Sequence, residues 1–184
     1  MSKINYISIA KKSAEIQINE LKKIKKLFNK SFIKAVDLIL NCKGKVILAG
    51  LGKSGLIARK ISATLSSVGV PSFFCDPAQA LHGDMGQIEK KDILIIFSYS
   101  GNTSELSNML KYANRYRIKI IGVASKPESI LLKASDVKLV LPKVKESDMT
   151  GMVPTSSTSI TLLLGDCLAT TVMHQKKFSK EKFK

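Results

Sequence analysis

Five short apolar runs, each closed by small or turn-forming residues, set the fold class of this chain. They are Val46 to Ala49 before Gly50, Ser72 to Cys75 before Asp76-Pro77, Ile93 to Phe97 before Ser98, Ile118 to Val123 before Ala124-Ser125, and Val137 to Leu141 before Pro142. Each is too short for a core helix. A strand that is apolar along most of its length is buried on both faces, which is the situation in a parallel sheet covered by helices. Stretches with helical spacing separate most of the runs: about Gly55 to Val68, Ser104 to Tyr116, Ser129 to Lys133 and Ser156 to Met173. Strand and helix in alternation predict an α/β domain, a five-stranded parallel sheet with helices on both faces.

Ahead of the first run, apolar residues recur near helical spacing from about Lys3 to Asn41, with Ser31 a candidate cap for a second helix. A turn follows at Lys43-Gly44. The organisation expected is a helical extension over 1–42 packed on a core over 43–184, in one domain overall. A chain of 184 residues is long enough for one good core. The strongly apolar last helix (Ile160, Leu162, Leu163, Leu164, Leu168) belongs against the sheet or in a contact between subunits.

Composition narrows the function classes. No apolar run reaches the roughly 18 residues that span a bilayer, and the Lys-rich N-terminal region lacks a signal-peptide core. A cytoplasmic protein with no membrane partner is expected. The formal charge of +16 raises nucleic acid as a partner. Yet the lysines are scattered over helices, and arginines and stacking aromatics are scarce, so no nucleic-acid partner is expected. A basic field also steers anionic substrates into a cleft. Cys42, Cys75 and Cys167 form no CxxC pair and read as small core residues.

Ligands of doubly wound sheets bind where strands turn into helices, so the strand ends carry the candidates. After the first run stands Gly50-Leu51-Gly52-Lys53-Ser54-Gly55. Glycines let backbone approach a ligand, and the helix start offers free N–H groups to an anion. The loop lacks the GxxxxGK[ST] spacing of a nucleotide triphosphatase. After the third run stands Ser98-Tyr99-Ser100-Gly101-Asn102-Thr103-Ser104-Glu105. Capping a helix needs one hydroxyl; four Ser/Thr hydroxyls make a neutral cradle for a phosphate without burying a fixed charge. Thr155 and Ser156, in Pro154-Thr155-Ser156-Ser157-Thr158, open the last helix and form a further wall. Glu105, Glu146 and His82 are the candidate proton carriers.

These segments together resemble the sugar isomerase (SIS) family, and closely its arabinose-5-phosphate isomerases. The matching text is NCKGKVILAGLGKSGLIARK, GVPSFFCDPAQALHGDMG, SYSGNTSEL, SKPES and PTSSTSITLLLGDCLA, in that order from the N-terminal helices to about residue 180. The resemblance implies a flavodoxin-like doubly wound sheet and a homotetramer or dimer with sites at subunit interfaces. It implies conversion of D-ribulose 5-phosphate to D-arabinose 5-phosphate through an enediol, feeding the eight-carbon acid sugar of lipopolysaccharide or capsule. Lys53, Glu105 and Glu146 fall at positions implicated in catalysis. His82 falls at a substrate contact in the HGD segment. Gly52, Ser54, Ser98, Ser100, Thr103, Ser104, Thr155 and Ser156 complete the expected substrate site.

The chemistry fits: a carboxylate moves a proton between C1 and C2, and Lys53 steadies the enediolate. Either Glu146 or Glu105 serves as base. No metal or other cofactor is expected. Family members often continue into a His-Pro-Gly-Gly-like segment and paired regulatory domains, which lie beyond Lys184 in such members. Some carry a His where Asp76 stands. The other readings are an SIS isomerase for another ketose phosphate and a non-catalytic sugar-phosphate-binding module.

Overall fold

The computed structural model describes residues 5–80 and 82–178. Among them five parallel strands form one sheet: β1 (Val46–Gly50), β2 (Ser72–Cys75), β3 (Ile93–Phe97), β4 (Lys119–Ala124) and β5 (Val137–Val140), in the order β2-β1-β3-β4-β5. In register, Val46 pairs with both Ser72 and Ile93, Ile93 with Lys119, and Ile121 with Val137. Alternate side chains feed two cores. Val46, Leu48, Ile93, Ile95, Phe97, Ile121 and Val123 point to one face, while Ile47, Ala49, Leu94, Ile96 and Ile120 point to the other. Every residue of β1 and β3 is buried, as continuous apolar runs require. Edge strand β5 alternates instead, with Lys138 and Val140 exposed.

Seven α-helices among the described residues surround the sheet. α2 (Lys30–Asn41), α3 (Gly52–Ser67) and α7 (Ser156–Gln175) supply the first core, through Val36 and Ile39, Ile61 and Leu65, and Ile160, Leu164 and Leu168. α4 (Pro77–Ala80), α5 (Leu106–Tyr116) and α6 (Ile130–Lys133) supply the second, through Ala80, Met109 and Leu110, and Leu131 and Leu132. The apolar last helix therefore lies against α2 and α3 over the sheet. It comes so close that a Cβ on Gly165 would fall inside the Ile61 side chain.

The N-terminal segment differs from one long helical pattern. α1 (Tyr6–Leu21) runs into a 3-10 turn over Lys22–Leu27, and α2 starts anew with Asn29, not Ser31, as its cap. The Asn29 side chain accepts from the Ser31 amide at 2.8 Å. α1 packs on α7 but buries none of its own side chains, so Ile7, Ile9 and Ile18 remain exposed. Among the described residues no helix is long and apolar enough to cross a membrane.

Candidate active site

In the strand order, β1 sends its chain to one side, through α3 to β2, and β3 sends its chain to the other, through α5 to β4. The divergence leaves a crevice beyond the C-terminal ends of β1 and β3. A cavity of about 510 Å³ occupies it, lined among others by Lys53, Ser54, Ser98, Ser100, Thr103 and Glu146.

The first wall is the glycine loop. It is the opening turn of α3 rather than a loop before it, because Gly52 takes a left-handed φ of +55° and lets the helix begin at once. Gly55 packs on the end of β1; a Cβ there would lie 2.6 Å from the Gly50 carbonyl oxygen. Leu51, which precedes the helix, has no side chain to cap it. The first-turn amides are therefore left for an anion, with Lys53 and Ser54 beside them.

The second wall is the hydroxyl loop after β3. Gly101 turns it at φ +69°. The Ser98 hydroxyl is buried within this turn. It accepts from the Gly101 amide at 3.0 Å and pairs with the Thr103 hydroxyl at 2.8 Å. Ser98 thus builds the loop, while Ser100 and Thr103 line the cavity as well. Ser100 Oγ accepts from the Asn102 amide at 3.3 Å.

The third wall is the irregular stretch between β5 and α7, which contributes Val144, Glu146, Gly151, Met152 and Pro154. Glu146 Oε2 accepts from the Thr155 amide at 2.7 Å, the Thr155 hydroxyl at 2.9 Å and the Ser157 amide at 3.2 Å. These are the free donors at the start of α7, so the carboxylate caps the helix from outside and gains from its dipole. Burial pushes the Glu146 carboxyl up, but the hydrogen bonds from Ser157 and Thr155 outweigh it and hold it below the usual range. Thr155 is a partner of this carboxylate, and Ser156 is fully buried with its hydroxyl unpartnered; neither lines the cavity.

Glu105, Ser104 and His82 are exposed and lie outside the cavity lining. The Ser104 hydroxyl donates to Glu105 Oε2 at 2.7 Å and keeps that carboxyl below its usual range. Gly52 adjoins the cavity without lining it. Several lining residues were not singled out from the sequence: Tyr99, Met152, Ser157, Thr158 and Thr161. Ser157 and Thr158 belong to the hydroxyl cluster that opens α7. Met152 has no sequence signal. Among the described residues no group of three or more His, Cys, Asp or Glu side chains is arranged to hold a metal ion.

The SIS domain sequence model matches residues 39–171, more than half of the chain. The chain belongs to the SIS domain family. Arabinose 5-phosphate isomerase KdsD of Pseudomonas aeruginosa is 39% identical over 180 residues, which is 98% of this SIS chain and 55% of that protein. Arabinose 5-phosphate isomerase KpsF of Escherichia coli is 43% identical over 159 residues, or 86% of this chain and 49% of that one. The chain therefore spans about half the length of these curated relatives. A solved structure from E. coli CFT073, in complex with arabinose 5-phosphate, superimposes with a TM-score of 0.94 at 31% identity. It covers 100% of this chain and 97% of its own.

Proposed function

We propose that this SIS domain interconverts D-ribulose 5-phosphate and D-arabinose 5-phosphate, with Glu146 as the base. The observation that carries the reading is a carboxylate held ionised in the wall of a cavity that also presents Lys53, Ser54, Ser100 and Thr103. The relatives named for this isomerase, and the similar structure holding arabinose 5-phosphate, support the choice of substrate.

The sugar phosphate enters with its phosphate toward the hydroxyl loop and the first turn of α3, where donors meet it without a buried counter-charge. Glu146 removes the proton from C2 of the aldose, or from C1 of the ketose, and returns it to the neighbouring carbon, while the hydroxyl proton passes between O2 and O1 at the enediol stage. Lys53 stabilises the enediolate oxygen between the two steps. Glu105 faces solvent outside the cavity, so the base role goes to Glu146. In a dimer or tetramer, His82 comes to the site from a neighbouring subunit. Exposed Ile7, Ile9, Ile18 and Leu56 supply apolar surface for such an assembly. We further propose a cytoplasmic enzyme serving lipopolysaccharide or capsule synthesis, with residues 1–42 as an extension on the SIS core.

Glu146 has a competing role as a helix cap, and Glu146→Gln separates the two. Glutamine keeps an acceptor oxygen for the α7 amides but cannot take a proton. Turnover should fall by about 10²-fold or more while sugar-phosphate binding stays intact. Turnover retained in this variant would leave Glu146 as a cap alone.

A further inference from the structure

Residues 142–147 run past the cavity without regular structure, and their hydrogen bonds alternate between two sides. On one side is Tyr99, the residue between the two loop serines. Its hydroxyl donates to the Pro142 carbonyl at 3.3 Å and accepts from the Val144 amide at 3.0 Å. On the other side is the N-terminal segment. Glu20 Oε2 accepts from the Lys145 amide at 3.0 Å, and Lys23, paired with Glu20, reaches the Lys143 carbonyl at 3.4 Å. Ser13 and Gln17 donate to the Ser147 hydroxyl at 2.9 and 3.3 Å. The segment has no strand neighbour to fix it; side chains from distant parts of the chain do so instead. Each clamp holds one amide within two residues of Glu146, Val144 on one side and Lys145 on the other.

We infer that Tyr99 and Glu20 are positioning residues for the reaction: they fix the arm that carries Glu146 against the start of α7. The inference rests on the reading of Glu146 as base. Neither side chain needs to touch the substrate. Burial, with the nearby Glu146 charge also raising it, keeps the Tyr99 phenol protonated, so it can donate to one backbone group and accept from another. The Glu20 carboxyl is held below the usual range by hydrogen bonding to Lys23, which outweighs the opposing burial. It offers an anion to the Lys145 amide, a stronger acceptor than a neutral oxygen.

The test begins with Tyr99→Phe, which removes one hydroxyl and keeps the packed ring. In the chain itself, kcat for ribulose 5-phosphate should fall about three- to tenfold, the worth of one or two hydrogen bonds, with KM within about twofold. Glu20→Ala should do the same, and Glu20→Gln, which keeps an acceptor, should recover most of the loss. The double variant Tyr99→Phe/Glu146→Gln should be no slower than Glu146→Gln alone, because Tyr99 acts through Glu146. A readout that needs no turnover runs alongside: hydrogen exchange at the Thr155 and Ser157 amides should accelerate in Tyr99→Phe. Parent kcat in Tyr99→Phe, unchanged exchange at those amides, or a further loss in the double variant would overturn the positioning role. Full turnover in Glu146→Gln would instead overturn the base assignment beneath it, and the exchange data would still show whether the arm is clamped.

Discussion

In the third wall of the cavity the proposed base is also a helix cap, and its acidity reflects the capping. Glu146 takes the amides that begin α7, and that is why it stays ionised although partly buried. A carboxyl with a lowered folded-state pKa contributes stability that is present above its unfolded pKa and lost as pH falls through the folded one. Carbon-13 titration of the Glu146 carboxyl in the free protein should therefore find it still ionised where ordinary glutamates have taken up protons. In Glu146→Gln, the part of the acid-induced loss of stability that belongs to this group should vanish. A midpoint at or above the ordinary glutamate value would contradict the hydrogen-bonding account. A second carboxylate serves structure alone. Asp92 is buried at the start of β3 and accepts from the Lys45 amide at 2.7 Å and the Glu89 amide at 2.8 Å. Asp92→Ala removes the acceptor of both amides and leaves a cavity where the buried carboxylate stood. It should cost about 2–3 kcal/mol, read as a fall in thermal midpoint of roughly 5–10 °C.

At the scale of elements, strands were easier to read from the sequence than walls. β1 and β3 begin and end within a residue of their apolar runs, because a strand buried on both faces has no polar position to blur it. α3 begins three residues earlier than its pattern, since Gly52 and Lys53 look like loop residues until the left-handed turn at Gly52 is seen. The first two walls follow strand ends and were legible as hydroxyl and glycine motifs. The third has no period and no regular structure, so Glu146 could be nominated only by residue type and resemblance. Tyr99 was hidden inside a motif read for its serines, and Glu20 inside a lysine-rich helix. Their partners are far off in sequence, and no local pattern encodes that distance. The contact of α3 with β1 gives an element-scale prediction. Gly55→Ala drives a Cβ against the Gly50 carbonyl, a backbone atom that cannot rotate away. Overpacking there should cost about 1–3 kcal/mol. It should also weaken sugar-phosphate binding, since α3 must shift and carries Lys53 and Ser54 with it. Chemical denaturation and binding titration measure the two effects separately, and a stable variant with parent affinity would show that the helix start is free to move.

The whole molecule presents a cavity lined by Lys53, Ser54, Ser100, Thr103 and Glu146, while His82 and Glu105 stand outside it on the surface. α1 adds a helix that buries none of its residues, and Met149 and Met152 extend from the arm beside it. If this apolar surface meets a copy of the chain, as proposed, symmetric closure puts the same patch to use on both subunits. Subunit mixing tests this directly. Glu146→Gln chains and His82→Ala chains, each inactive alone, are dissociated, combined in equal amounts and reassembled. If each site draws Glu146 from one subunit and His82 from its neighbour, half the resulting dimers are mixed, and each mixed dimer holds one intact site. About a quarter of the parent turnover should return. Sedimentation of the same mixture must show a dimer or larger species for the arithmetic to apply. A mixture that stays inactive while fully assembled would mean that both residues serve the same subunit's site, and a His82→Ala chain that is active alone would mean that His82 serves none. The exposed residues of α1 would then have to be explained by assembly without a shared active site.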